Sequence, residues 1–299
     1  MKVTYRNIAA ILLSVSFLIL DSCRKPVNPP GPDNSTVYDA CFSGGSTATL
    51  DIVTFNTELF PLNAYETVAE LAVLIRAMKA DIIAFQEISS FADFDRLDDL
   101  LTNYSGIKYP VDNSDWSLAY LYNTSEISID NSETRIIFDD DFWAFPRPPF
   151  EIHATHLPTS QDLILLNNHL KCCGGYDNES RRRSASDQLH AYVMDTYPDK
   201  AVIILGDLND EIDGTSENSN VFWSFVNDPS NFRVADMEIA KGSELWWSYP
   251  SYPSHIDHII VSDELFAKID TTMVLKPDAC YSNYPDVISD HRPVYLRLK

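Results

Sequence analysis

Short apolar runs in this chain repeatedly stop on a side chain that can hold a proton or a metal ion. Leu50–Phe55 runs into Asn56, and Asp81–Phe85 runs into Gln86-Glu87. Leu163–Leu166 is followed by Asn167-Asn168-His169, and Ala201–Leu205 by Gly206-Asp207-Leu208-Asn209. The run Ile256-Asp257-His258-Ile259 carries its polar pair at the start. Unbroken stretches of Val, Ile, Leu and Phe are the pattern of strands buried on both faces. Between them, Val68, Leu71, Ala72, Ile75 and Met78 recur at helical spacing in 66–80, as do Ala185, Leu189, Tyr192 and Val193 in 180–196. Further strands are expected at 117–122, 135–138 and 293–298. Strands interleaved with helices predict an α/β class of fold, its sheets covered by helices. Polar groups gathered at the strand ends of such a core mark where ligand sites form.

Composition narrows the function. With 44 acidic against 22 basic residues in 299, the formal charge of -22 excludes a general nucleic-acid coat, which needs a basic surface to displace counterions. It leaves room for a nuclease whose acidic groups surround a metal. No phosphate-cradling GxxxxGK, no G-x-S-x-G elbow and no GxGxxG is present, so kinases, serine esterases and dinucleotide enzymes have no support.

The first residues stand apart. Lys2 and Arg6 precede an apolar stretch from Ile8 to Leu20, and Leu20-Asp21-Ser22-Cys23 resembles a bacterial lipobox. Residues 1–22 are therefore expected to be a lipoprotein signal peptide and Cys23 the lipidated residue, with plain secretion as the alternative because Asp21 is unusual there. The stretch is short and closely followed by Arg24-Lys25, which argues against a membrane span. Residues 23–48, with Pro26, Pro29, Pro30 and Pro32, are expected to be the anchor and a tether. The domain is expected at 49–299, a monomer held in the bacterial cell envelope by its lipid, with no protein partner. Cys41, Cys172, Cys173 and Cys280 point to disulfides in an exported chain; four cysteines allow three pairings, and the sequence does not choose.

The motifs then fall into a known order. Thr54-Phe55-Asn56-Thr57-Glu58, Phe85-Gln86-Glu87, Asn168-His169-Leu170-Lys171, Gly206-Asp207-Leu208-Asn209, Ile256-Asp257-His258-Ile259 and Ser289-Asp290-His291-Arg292-Pro293 succeed one another along the chain. Over 49–299 this resembles the endonuclease/exonuclease/phosphatase superfamily, which includes deoxyribonuclease I, neutral sphingomyelinases and inositol polyphosphate 5-phosphatases. The resemblance implies a four-layered α/β sandwich of two facing mixed β-sheets flanked by helices. It implies metal ligation by Glu87, Asn56 and Asp290, with Glu58 at an acidic position of some branches. It assigns Asp207 and Asn209 to the attacking water, His291 to the scissile phosphate, Asp257 to the orientation of His291, and His169 to the phosphate or leaving group. Arg147-Pro148-Pro149-Phe150 resembles an Arg-x-Pro-Phe motif whose arginine grips phosphate. The chain departs from the nuclease branch at Asp115-Trp116, where relatives carry the glutamate that partners the histidine matching His169.

The chemistry of the residues agrees. An anionic phosphorus centre repels a nucleophile, so hydrolysis needs a cation on the phosphoryl oxygens and an oriented water. Carboxylate and amide oxygens suit Mg²⁺, or Mn²⁺ or Ca²⁺. The expected function is an exported, divalent-metal-dependent phosphodiesterase working by in-line water attack, a nuclease on DNA or RNA first. The rivals are a sphingomyelinase-like phospholipid phosphodiesterase, a phosphomonoesterase, and an inactive tethered binding protein on the same scaffold. Of the remaining features, His258 is expected on the opposite strand face as a structural residue. Arg181-Arg182-Arg183 is expected to open a helix, facing either an anion or solvent. Asp139-Asp140-Asp141 reads as a solvated loop, and the aromatic run 246–252 as packing, base stacking or a lipid contact.

Overall fold

The computed structural model describes residues 36–42, 45–46, 48–109 and 116–299. The signal peptide, Cys23, residues 24–35 of the tether and Asp115 lie outside the described residues. Two strand–helix–strand units set the architecture. β1 (Leu50–Phe60) passes through helix α1 (Ala64–Met78) into the parallel β2 (Ile82–Ile88). Helix α2 (Phe91–Asp99) follows β2, and the same unit recurs as β7 (Gln161–His169), helix α3 (Tyr176–Thr196) and the parallel β8 (Val202–Asp207). Each parallel pair lies at the centre of a six-stranded mixed sheet. In the first, β11 (Ile269–Val274) and β12 (Val294–Leu298) flank β1, while β4 (Ser117–Asn123) and β3 (Tyr104–Lys108) flank β2. In the second, β5 (Ile127–Ile136) and β6 (Phe150–His156) flank β7, while β10 (Asp257–Ser262) and β9 (Phe232–Val234) flank β8.

Alternation along the strands explains why the central runs are apolar on both faces. Ile52, Ile82, Ala84 and Leu118 of the first sheet pack against Phe150, Ile152, Leu163, Leu165, Ile203 and Ile259 of the second. Val53, Phe55, Ile83 and Phe85 point outward to the buried face of α1, formed by Val68, Leu71, Ala72 and Ile75. Ile164, Leu166, Val202 and Ile204 meet Ala185, Leu189 and Val193 of α3 in the same way. The result is the four-layered sandwich expected from the sequence, with both sheets buried between helices. At Gly206, φ is +146° and an added Cβ would lie 1.9 Å from the Asn168 carbonyl, so only glycine lets β8 run this close to β7.

Two expectations change. Residues 36–42 are not a free tether: a short 3₁₀ turn, Val37–Ala40, packs on the domain, Tyr38 is fully buried, and Cys41 is disulfide-bonded to Cys280. The domain therefore begins near residue 36, because a buried tyrosine and a covalent cross-link outweigh the Pro-rich composition just before them. The strand expected at 135–138 is the end of β5, whose middle residues are solvent-exposed, as befits a sheet edge. Cys172 and Cys173 are free.

The cross-link closes a loop with a sequence separation of 239, so its loss frees a large unfolded ensemble. Cys280→Ser is expected to lower unfolding stability by about 2–4 kcal/mol in denaturant titration while leaving the strand-end site intact. An unchanged midpoint would remove the disulfide from the stability account.

Candidate active site

The register of the central strands collects the polar groups at one end of the sandwich. Asn56 lies beside Gln86, His169 beside Asp207, and Asp207 beside Asp257. Glu87, His169, Asp207 and His291 line a cleft of about 850 Å³ whose walls also include Glu58, Trp116, Arg147, Lys171, Tyr249 and Asp290. His291 arrives on the loop before β12. Ser289 fixes that loop: its Oγ donates to the Asn56 carbonyl at 2.7 Å and accepts the His291 N–H at 3.0 Å.

Backbone irregularities aim the acidic side chains. β1 and β2 both carry register shifts at the site end, and Glu58, Leu59, Glu87 and Asn209 all have positive φ. Such conformations cost about 1–3 kcal/mol each in ordinary residues and persist where the surroundings over-determine them. Here the surroundings are hydrogen bonds: Leu59 N–H donates to Glu87 at 3.0 Å, and Asn209 N–H to Asp207 at 3.0 Å. Asn56 is oriented by the Glu58 N–H, which can only meet oxygen and donates to Asn56 Oδ1 at 3.0 Å. Its Nδ2 therefore donates to Glu87 at 3.1 Å and to Asp207 at 2.9 Å. Asn56, expected among the metal ligands, presents nitrogen to the carboxylates and works in this geometry as a clamp on them.

The carboxylates are crowded. Glu58 accepts the Asp290 N–H at 2.8 Å, and burial followed by the charge of Asp290 pushes its carboxyl up to about 7. Burial also raises Glu87, against the hydrogen bonds of Asn56 and Leu59. Asp207, almost fully buried, is pushed up to about 7 by burial and by Asp257. Glu58, Glu87 and Asp290 line one cleft and bring oxygen donors to it, a set suited to a hard divalent cation.

The two site histidines differ in charge. His291 Nδ1 donates to Asp257 at 2.8 Å, and Tyr249 lies against the ring at 4.8 Å between centroids. Burial works to lower its pKa, but Asp257, Asp207 and Asp290 outweigh it and hold the imidazolium up to about 10. Its Nε2–H faces the cleft, 4.0 Å from Asp207 and 3.9 Å from Asp290. His169 is neutral: burial, then Arg147 and His291, push its pKa well below the usual value. Its Nε2 lies 3.5 Å from Asp207 and 3.7 Å from Glu87, while the buried Nδ1 has no partner among the described residues. Two carboxylates facing Nε2 place the proton there.

Other expected residues fall as follows. Arg147 lines the cleft, but its Nε and Nη2 donate to the carbonyls of His169 and Leu170 at 3.0 and 2.6 Å, and Trp116 covers the guanidinium. Its first role is to brace the β7 end. Asn209 Nδ2 donates to the same Leu170 carbonyl at 3.2 Å. The Arg181–Arg183 run lies inside α3 rather than opening it, and each arginine is spent on main-chain carbonyls. Arg181 reaches Trp143 and Phe142, Arg183 reaches Asn220, and the buried Arg182 holds Lys171, Cys173 and the Asp210 carboxylate. Asp141 caps Ala144 and binds Gln188. His258 is buried, bonded to Asp236 and to the Asp210 carbonyl, as its strand face implied. The aromatic run divides: Tyr249 and Tyr252 line the cleft, whereas Trp247 donates to the Ile239 carbonyl. Ser289 joins the site without having been given a role, although it stands inside the Ser-Asp-His motif, and Tyr249 joins it from the aromatic run.

Comparison with known proteins identifies the family and the fold. The model of the Endonuclease/Exonuclease/phosphatase family matches residues 53–291, and the chain belongs to that family of phosphoester hydrolases. No curated protein matches the chain. Among solved structures, D. rerio TDP2 complexed with single strand DNA product superposes with a TM-score of 0.64 at 15% identity, over 84% of this chain and 99% of that one. The Bacteroides thetaiotaomicron mannosyl-6-phosphatase Bt3783 gives 0.60 at 17%, over 83% and 98%. The human Nocturnin catalytic domain with bound sulfate gives 0.62 at 18%, over 84% and 94%.

The Asp257–His291 pair generates a pH prediction. The imidazolium donates from Nε2 only while protonated, so activity is expected to fall as pH rises through about 10. Asp257→Asn removes the charge that raises this pKa and should move the alkaline limb of kcat/KM toward the ordinary histidine value, near 6.5. A limb that stays in place in the variant would detach His291 from it.

Proposed function

We propose that this member of the endonuclease/exonuclease/phosphatase family is a divalent-metal-dependent phosphodiesterase that breaks a P–O bond by in-line attack of water, with nucleic acid as its first substrate class. The observation that carries the reading is the position of Asp207 Oδ2. It sits 2.9 Å from Asn56 Nδ2, 3.5 Å from His169 Nε2 and 4.0 Å from His291 Nε2, at the floor of the cleft. A carboxylate surrounded by donors on one side and open to the cleft on the other is placed to take a proton from an attacking water. Asn209 holds its second oxygen and so fixes the plane of the group.

The protein's own donors complete the phosphate site. His291 Nε2–H, kept charged by Asp257, hydrogen-bonds a non-bridging oxygen whose negative charge grows in the transition state. The neutral His169 offers a second N–H, from Nε2, 3.5 Å from the same Asp207 oxygen. Glu58, Glu87 and Asp290 are the residues that would hold the cation; burial raises the carboxyls of Glu58 and Glu87, joined at Glu58 by the charge of Asp290, as happens where a positive charge belongs. A bound Mg²⁺ or Mn²⁺ supplies Lewis-acid stabilisation of the phosphoryl and leaving oxygens.

The substrate class follows from the walls. Trp116, Tyr249 and Tyr252 offer ring faces for stacking a base, and Lys171 and Arg147 offer positive charge. Glu179, Asp210 and Glu211 share the rim, and with a chain charge of -22 they oppose a long polyanion. Chain ends and short single strands fit best, in keeping with the D. rerio TDP2 likeness. The same acidic rim favours a second reading, a phosphomonoesterase on a sugar phosphate whose hydroxyls Glu211 would accept, in keeping with the Bt3783 likeness. We place the enzyme outside the cytoplasm on a lipid at Cys23, on the strength of the lipobox; Cys23→Ser should move it from the membrane fraction to the soluble one.

A panel of single-stranded oligonucleotide, sugar phosphate, sphingomyelin and bis-aryl phosphate, each with Mg²⁺, Mn²⁺ and Ca²⁺, separates these readings. EDTA is expected to abolish hydrolysis, and Glu87→Gln to lower it by on the order of 10²-fold or more with folding intact. Undiminished turnover in chelator would sink the metal mechanism, and turnover of monoesters alone would replace the first substrate class by the second.

A further inference from the structure

We propose that the chain carries a second divalent-cation site, formed by Asp81, Glu126 and His156 at the end of the sandwich opposite the cleft. The strands bring these residues together from both sheets. Asp81 stands immediately before β2 in the first sheet. Glu126 stands immediately before β5 and His156 ends β6 in the second, where Ile127 is the register partner of His156. One ligand atom from each of the three lies within 4.8 Å of the others.

Two orphaned atoms point to an ion. The His156 side chain is wholly buried and its Nδ1 meets the Thr159 hydroxyl at 2.8 Å, but Nε2 has no hydrogen-bond partner among the described residues. Across from it, 3.9 Å away, the buried Glu126 Oε2 is also without a hydrogen-bond partner among them. That separation is too long for a hydrogen bond, and leaving either atom unpaired is costly. A cation with metal–ligand distances of about 2.0–2.2 Å to nitrogen and oxygen would span it through an obtuse angle. Asp81 accepts the Asp51 N–H at one oxygen, Oδ2, at 2.8 Å.

Charge supports the same reading. The neighbouring Asp51 is paired with Arg297 at 2.8 Å, whereas Asp81 and Glu126 form no ion pair with a lysine or arginine among the described residues. Two carboxylates and one imidazole are a mixed nitrogen–oxygen set, which selects Zn²⁺ or Mn²⁺ over Mg²⁺ or Ca²⁺. A surface cleft of about 450 Å³, lined by both carboxylate residues with Asn103 and Asn123, gives access. Arg76 and Lys79 also line it, and Arg76 is held at the Leu100 carbonyl at 3.2 Å. An ion here would tie the start of β2 to the β5–β6 pair and so clamp one sheet to the other, independently of catalysis.

The test uses the full chain stripped of metal and titrated with Zn²⁺, read by calorimetry, by bound metal per chain after desalting, and by thermal unfolding. Wild type is expected to bind a zinc ion that raises its Tm by several degrees. His156→Gln and the less buried Glu126→Gln should each lose this ion and the Tm rise that it gives, while Glu87→Gln, altered in the cleft, keeps this ion and its Tm rise and loses only cation binding in the cleft. Folding of each variant is checked by circular dichroism, and the second variant decides if the first does not fold. Zinc stoichiometry and Tm rise unchanged in either folded variant would overturn the site and leave Nε2 and Oε2 as a loosely closed hydrogen bond.

Discussion

One side-chain amide couples the two sheets at the place where the chemistry sits. Asn56, on β1, donates to Glu87 of its own sheet at 3.1 Å and to Asp207 of the facing sheet at 2.9 Å. Burying two carboxylates this close is unfavourable unless donors compensate each. The clamp in turn is held by the Glu58 N–H on its oxygen and by the Ser289 hydroxyl on its carbonyl, so the His291 loop is registered to the same residue. Just beneath, Gln86 donates to Asn167 at 2.7 Å and Asn167 to the Phe85 carbonyl at 2.9 Å. Together with the Tyr120 hydroxyl, which reaches the Phe150 and Leu165 carbonyls of the second sheet, these contacts fix in one relative position two sheets whose interface is otherwise largely apolar.

What the sequence made legible follows from burial. The central strands β1, β2, β7, β8 and β10 read as unbroken apolar runs because both of their faces are covered, by the other sheet and by helices. β3, β5, β9 and β11 lie at or near sheet edges, where half-exposed positions take any polar residue and the pattern fades. The motif order placed Asp257 and His291 in one site, and the structure brings them within 2.8 Å. It could not reveal which atom Asn56 turns to the carboxylates, since that depends on the left-handed backbone at Glu58. Nor could it show Tyr249 against His291, which joins segments far apart in sequence, or Arg182 spent on the Lys171 and Cys173 carbonyls, which depends on how the loop after β7 folds back on α3. The packing of Tyr38 and the Cys41–Cys280 bond was hidden by the prolines before them.

The same few ångströms push neighbouring groups in opposite directions. Burial raises Asp207 toward neutrality and drives His169 to its uncharged form, yet His291 stays an imidazolium. Only His291 owns a carboxylate at hydrogen-bond distance; His169 sees its two carboxylates at 3.5 Å or more and has Arg147 beside it. Titratable groups whose surroundings separate their proton affinities acquire distinct acid and base roles at one pH. The asymmetry comes from placement: two imidazoles on facing strand ends differ in charge because Asp257 pairs with one of them.

A chain this acidic meets an anionic substrate only on local terms. At physiological salt the field of distant carboxylates fades over about 8 Å, so the -22 total matters less than the groups within the cleft. There, the His291 imidazolium, with a cation held by Glu58, Glu87 and Asp290, would present a focused attraction for one phosphate, and the acidic rim would penalise further phosphates along a strand. A long duplex would set many phosphates against that rim, whereas a single ester at a chain end or on a sugar would set one phosphate against the cleft floor. The electrostatics therefore tie substrate size to rim composition, and Glu179 and Glu211 are the residues through which length selectivity would act.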